Sequence, residues 1–332
     1  MLGKYGLGAA LFAAFASLSA QAQTQAAAPN WPSRTITIVL PLAAGSGMDT
    51  IVRLYADKLS PALGRPVVIE NRLGGRQMIA ASAVAKAEPD GHTLVVLTSS
   101  SLAIGPTLFK DMRVNPAKEF VPISLYVKSP FILVVNPAMP VKTAADFIAH
   151  AKAQMASPLS YTSLGPGSPQ HLSMELVKSQ FGVPMTHVPY TNTPQSVLDV
   201  TSGHVSGGFA EAGASLSLIR EGKLRALAVS SSQELPVLPG VAPFAEAGKL
   251  PGFEAVSWHV LLAHAATPKP IVDRLHAEMK RIMADKELTK KVADMGLLPV
   301  DTPDVDGIRQ YIASEQEKWG SLVRKLGLEG SQ

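Results

Sequence analysis

Three turns in this chain place free backbone amides where a strand signal gives way to a helix signal, and the chemistry this offers is anion binding. The first is Ala43-Ala44-Gly45-Ser46-Gly47-Met48-Asp49. Gly45 and Gly47 let a ligand approach the main chain closely, and the following helix adds the positive end of its dipole. An ordinary turn with Asp49 as N-cap fits the same residues. The second is Ser99-Ser100-Ser101, hydroxyls at the carboxyl end of a strand, where open α/β sheets bind ligands; a polar loop is the plainer reading. The third is Leu164-Gly165-Pro166-Gly167-Ser168-Pro169-Gln170-His171. Ser168 suits an N-cap and Pro169 the first helical position. His171, in the first helical turn, could face a ligand or sit as a satisfied surface histidine.

Catalytic and cofactor signals are sparse. No G-x-S-x-G elbow, H-E-x-x-H, Walker or three-glycine dinucleotide string occurs. His259 and His264 have a spacing that matches no strong metal motif. No catalytic residue, metal ligand or cofactor is therefore assigned. Serines and histidines are numerous enough that a dispersed Ser/His/Asp triad stays open on residue types alone.

The elements that must position these turns alternate as strand and helix, the pattern of a mostly parallel sheet covered by helices. Ile36 to Leu40 reads as a β-branched strand leading into the first turn. Ile51, Tyr55, Leu59 and Leu63 form one face of the next helix, which stops at Gly64. Val67 to Glu70 and Thr93 to Thr98 are further strands, with a Gly74-Gly75 turn between them. Val121 to Val135, broken by Pro122 and Pro130, suits a crossing between domains better than a central strand. A second series follows, with strands near 160–163, 186–190, 205–209 and 224–230 and helices at 144–154, 171–180 and 195–202. Val256 to Ala263 reads as a second crossing. Thr267-Pro268 and Thr302-Pro303 read as starts of two terminal helices. The expected fold is α/β, two lobes joined by two extended hinge segments, with residues 30–128 plus 256–332 in one domain and 129–255 in the other. A cleft between lobes is the default ligand site.

Composition sets the compartment. Lys4, the apolar run Leu7 to Leu18 and Ala20-Gln21-Ala22 have the form of a secretory signal peptide over residues 1–22, cleaved near Ala22. Residues 23–29 read as an unstructured leader. The expectation is export to the periplasm without membrane insertion of the mature chain. The 332 residues contain no cysteine, so neither disulfides nor a thiolate zinc site is available. Net charge is +4, with basic residues scattered singly and few aromatics, which argues against nucleic acid as a partner.

Short segments then carry a family likeness. They are Trp31-Pro32-Ser33 with 36–49, Val67-Val68-Ile69-Glu70-Asn71-Arg72, Pro89-Asp90-Gly91-His92-Thr93-Leu94, Gly167-Ser168-Pro169-Gln170-His171-Leu172, His187-Val188-Pro189-Tyr190, and Gly222-Lys223-Leu224-Arg225-Ala226-Leu227-Ala228-Val229. In order and spacing the chain resembles the periplasmic solute-binding proteins of tripartite tricarboxylate transporters, the Bug family, over essentially the whole mature length. The resemblance implies a hinge-closing receptor, of the type II-like two-lobed fold, that hands a small carboxylate to membrane permease subunits. It implies that residues Ala43 to Asp49 hold the carboxylate, partly through ordered waters, and that Ser99, Ser100 and the turn of Leu164, Gly165, Gly167 and Ser168 before His171 complete the site. Tyr190 is expected to wall the pocket.

Two departures bear on the ligand. Leu73-Gly74-Gly75-Arg76-Gln77-Met78 replaces the family's usual proline and glycine-rich run, so Arg76 is either a surface charge or a second anion contact. Where amino-acid-binding members place an aspartate, this chain has Ala210, with Glu211 next. That disfavours an amino acid, and the scarcity of aromatics disfavours a sugar. A receptor that reports its ligand to a sensor protein is the alternative; a periplasmic hydrolase is a third reading.

Overall fold

The computed structural model describes residues 30–332; the predicted signal peptide at 1–22 and the leader after it lie outside the described residues. Ile36–Leu40 forms strand β1, as its β-branched run predicts, and Gly47–Leu63 forms helix α1. α1 buries Ile51, Tyr55, Leu59 and Leu63, and ends at Gly64, whose φ of 70° suits glycine. β2 (Val67–Asn71), a 3-10 turn at Gly75–Gln77, α2 (Met78–Ala85) and β3 (Thr93–Thr98) follow. Ser100–Ile104 is a π-helical turn that runs into α3 (Gly105–Leu108), then α4 (Pro116–Glu119) and β4 (Phe120–Ser129).

The second lobe comprises β5 (Phe131–Val135), α5 (Ala144–Ala153), β6 (Leu159–Ser163), α6 (Pro169–Phe181), β7 (Met185–Pro189), α7 (Thr193–Thr201), β8 (Gly207–Glu211), α8 (Ala212–Arg220), β9 (Arg225–Val229) and the short α9 (Phe244–Ala247). The chain then returns to the first lobe as β10 (Ser257–His264), α10 (Lys269–Met283), α11 (Lys286–Asp294), β11 (Leu298–Pro299) and α12 (Val305–Lys325). One sheet has the order β11-β4-β10-β3-β1-β2 and the other β7-β6-β8-β5-β9, giving the expected two α/β lobes.

Both predicted crossings differ in detail. β4 and β10 are interior strands of the first sheet, paired antiparallel to each other along their length, with β10 also paired to β3. Pro122 is tolerated there because the register slips between Leu261 and Leu262 opposite it, a bulge that spares the missing amide. Only Pro130 separates β4 from β5, while residues 230–256 form the longer return. The two terminal helices also start elsewhere than predicted. Asp304 caps α12 by accepting from Gly307 N, and Thr302 Oγ1 instead accepts the Leu125 amide at 3.1 Å. Pro268, not Thr267, precedes α10 as its cap residue, with no side-chain bond.

One apolar core lies under α1 and α10, built on Tyr55, Leu59, Tyr126 and Met279. A second runs through both lobes, joining Leu102, Leu108, Trp258 and Trp319 to Phe131, Leu172 and Phe209. The lobes are therefore packed on one another as well as tethered. Leu108 sits where a side chain at Gly167 would begin, 2.2 Å from an ideal Cβ, and Gly296 is pressed in the same way against Ala212 of α8.

Candidate ligand-binding cleft

Strand registers decide which way the strand ends point. Ser257, where β10 begins, lies opposite Ser129, where β4 ends, and His259 lies opposite Thr98, the last residue of β3. The linkers thus leave the first sheet at the carboxyl ends of its parallel strands. In the second lobe Phe131, first residue of β5, pairs with Glu211, last of β8. The linkers enter there at the carboxyl ends too. β1 is parallel to β3, and β6 to β8, so the first turn, Ser99, the third turn and Glu211 all lie on the sides of the lobes that face each other.

The first turn is a network built around Asp49. Ser46, not Asp49, is the N-cap of α1; its Oγ accepts the Asp49 amide at 3.3 Å. The buried Asp49 carboxylate accepts from Gly45 N (3.0 Å), Arg53 Nε (2.8 Å) and Nη2 (3.0 Å), and Asn71 Nδ2 (2.9 Å). The Arg53 hydrogen bond, with help from Asn71 and the Gly45 amide, outweighs desolvation and holds its pKa down to about 2. Asp49 is therefore charged and fully engaged in shaping the loop. Ala43, Ala44, Gly45 and Gly47 are exposed, Ser46 and Met48 half-exposed, and a Cβ built on Gly45 or Gly47 meets nothing within 4 Å. The Gly47 and Met48 amides, first and second in α1, have no acceptor within the helix.

The third turn repeats this construction in the other lobe. Ser46 N donates to Ala43 O at 3.1 Å, and Ser168 N to Gly165 O at 3.1 Å. Gly45 N donates to the Asp49 side chain, and Gly167 N to His171 Nδ1 at 3.1 Å. The His171 amide in turn donates to Ser168 Oγ at 3.3 Å. The shared pattern Gly-Ser-x-x-[acceptor], at 45–49 and 167–171, is the sequence signal of this equivalence. Two prolines make the pair unequal: Pro166 stands at the place of Ala44 and Pro169 at that of Gly47, so two amide donors of the first turn have no counterpart in the second. His171 is buried, not a surface residue, since its ring is spent on locking the turn.

Ser99 is buried at the end of β3, its Oγ 3.1 Å from Ser257 Oγ, while Ser100 is half-exposed in the π-helical turn. Ser101 donates to Gln77 Oε1 at 2.7 Å and points away from solvent. Gln77, absent from the expected set, also donates to Thr98 Oγ1 at 2.7 Å. It does so from a left-handed backbone, φ 75°, directly after Arg76 at φ 54°. Tyr190 lies beside the third turn, its amide on Ser163 O at 2.8 Å and its hydroxyl on Asp199 Oδ2 at 2.6 Å. The Glu211 carboxyl makes no hydrogen bond or ion pair among the described residues, and burial pushes its pKa up. Arg76 is not gathered with the turns. It stacks on Phe109 at 4.7 Å and lines a crevice of about 850 Å³ with Met78, Ile79 and Arg113.

Among the described residues no three His, Cys, Asp or Glu side chains are grouped to hold a metal, and no helix is long and apolar enough to cross a membrane. Two α/β lobes whose strand ends face each other define the class of two-lobed solute-binding proteins. The model of the tripartite tricarboxylate transporter family receptor matches residues 51–328, and the chain belongs to that family. Rpa4515 of R. palustris, solved with adipate, is 32% identical, with a TM-score of 0.78 over 90% of this chain and 98% of that one. The periplasmic binding protein BugD is 27% identical, TM-score 0.75, covering 90% and 99%. MatC of Rhodopseudomonas palustris, with bound malate, is 31% identical, TM-score 0.72, covering 88% and 100%. The family consists of binding receptors.

Proposed function

We propose that this protein is a periplasmic receptor that captures a small organic carboxylate, dicarboxylates foremost, between its lobes and delivers it to the permease of a tripartite tricarboxylate-type transporter. The observation that carries the reading is the first turn: exposed glycines, two helix-start amides without intrahelical acceptors, and open space before them, all held rigid by Asp49. Such a turn binds an anion without a buried lysine or arginine. The adipate and malate held by Rpa4515 and MatC support the same ligand class.

The donor inequality gives the two lobes different parts. The first lobe, residues 30–128 plus 256–332, takes the carboxylate; the second, 129–255, closes over it with Leu164, Gly165, Gly167 and Ser168. Ser99 and Ser100 flank the anion, and Tyr190 walls the pocket. Glu211, whose carboxyl burial pushes up in pKa, faces the distal end of the ligand. Arg76 has no part in holding it. Contacts made only in the closed form shift the lobes toward closure.

Calorimetry of the purified chain against adipate, malate, succinate and a monocarboxylate series tests this. Gly47→Asp puts a carboxylate in front of the anion-binding amides without touching a neighbour. We expect at least a thirtyfold loss of affinity, on the order of 2 kcal/mol, with little change in melting temperature. Equal binding by wild type and variant removes the first turn from the site.

A further inference from the structure

Six polar side chains from three elements pack beneath the third turn. Ser163 Oγ, at the end of β6, lies 2.5 Å from His187 Nε2 of β7 and accepts the Gly165 amide at 3.1 Å. His171 Nδ1, on α6, accepts the Gly167 amide at 3.1 Å. The two imidazoles are in contact, their centroids 4.3 Å apart, and both stack on Tyr161. Glu175 Oε1 stands 4.0 Å from His171 Nε2 and takes the Tyr161 hydroxyl and the Lys178 ammonium, each at 2.5 Å. Gly165 and Gly167, the two glycines of the turn with φ of 100° and 75°, are thus each hung on a histidine, one through Ser163 and one directly.

We infer that His171, with His187 packed against its ring, is a positioning residue that holds the third turn in its ligand-closing shape only while the His171 ring is neutral, so that acidification loosens the turn and releases the ligand. The inference rests on the reading of the cleft as a carboxylate site. An imidazolium has no lone pair, so a proton on His171 Nδ1 turns the Gly167 bond into a clash of two donors. A charge on either ring also disfavours one on the other at this separation.

The groups facing the rings are Glu175 and Lys178 on α6 and the Tyr161 and Ser163 hydroxyls on β6. Burial, then His187, then Lys178 lower the His171 pKa, against the pull of Glu175, to about 4; burial lowers that of His187. The locked turn therefore binds fewer protons than the loosened one. Its advantage is complete above about pH 6.5, the ordinary histidine value, and is lost as pH falls toward about 4.

The test is adipate affinity at pH 7.5 and 5.0 for the wild type and for His171→Asn, whose amide oxygen can accept the Gly167 N–H without titrating. Adipate protonation is common to both arms. The ratio of the two affinities is expected to be at least about tenfold larger in the wild type than in the variant; equal ratios overturn the inference. Imidazole proton resonances of the wild type, followed by NMR without ligand, give a reading independent of the variant's folding and of any ligand. Titration of His171 below pH 5.5 supports the lock, and an ordinary value for it overturns the inference. A wild type that binds no carboxylate at pH 7.5 counts against the proposed function instead, and leaves the NMR result standing.

Discussion

Asp49 illustrates how one side chain can serve a binding site without touching the ligand. Its four accepted hydrogen bonds fix the path of the chain from Gly45 to Arg53, so that the exposed amides keep one orientation. Replacing it by Asn removes the charge and at least one good acceptor. We expect Asp49→Asn to lower stability by about 1–3 kcal/mol at pH 7 and to weaken carboxylate binding with it. The pH dependence has a definite sign. A carboxylate whose folded pKa lies near 2 contributes stability above its unfolded value, about 3.9, and loses that contribution as pH falls through about 2. Urea denaturation of both proteins should show their stability difference shrinking across that window; a difference constant down to pH 2 would count against the charge as its source. The spacing Asp49–Arg53 is legible as an i, i+4 pair. The Asn71 contact is not, because it crosses from a strand whose register the sequence does not display.

Among the elements, α12 packs on α6 of the other lobe, and its anchoring within its own lobe is polar as well as apolar. Glu315 Oε2 accepts the indole N–H of both Trp258 and Trp319 at 3.0 Å, inside the core that spans the lobes. Lys318 pairs with the same carboxylate at its exposed edge. Glu315→Leu leaves two buried donors without an acceptor and is expected to cost about 2–4 kcal/mol, measured as a lower denaturation midpoint. Glu315→Gln, which keeps an acceptor oxygen, should cost less. The apolar stripe of this helix is visible in the sequence, whereas the double indole contact depends on β10 being a central strand. β4 reads as a crossing because Pro122 and Pro130 break its stretch, and β10 reads as the matching extended return. In the fold they are covered on both faces, so alternation has no reason to appear.

For the molecule as a whole, the lobes already share a core, so the proposed closure is expected to be a small rearrangement about Pro130 and the 230–256 return. A ligand bound only by the closed form stabilises the protein by about 2.7 kcal/mol at a concentration a hundredfold above its Kd. Adipate or malate is therefore expected to raise the melting temperature by several degrees and to reduce the radius of gyration in solution scattering. An unchanged melting curve and scattering profile with every dicarboxylate tried would rule out closure on such ligands.

The sequence by itself determined the turns. Gly-Ser-x-x-[acceptor] closes its hydrogen bonds within five residues, so the shape of both turns, their helix starts and the two prolines that remove donors from the second are written locally. It also determined the family, through short segments kept in order. Only the tertiary structure decided which turns face each other, that two histidines sixteen residues apart meet beneath one of them, and that Glu211 has no partner among the described residues while Arg76 stands apart. Those outcomes depend on strand order and register, which are set by packing between segments distant in the chain and leave no mark on the residues beside them.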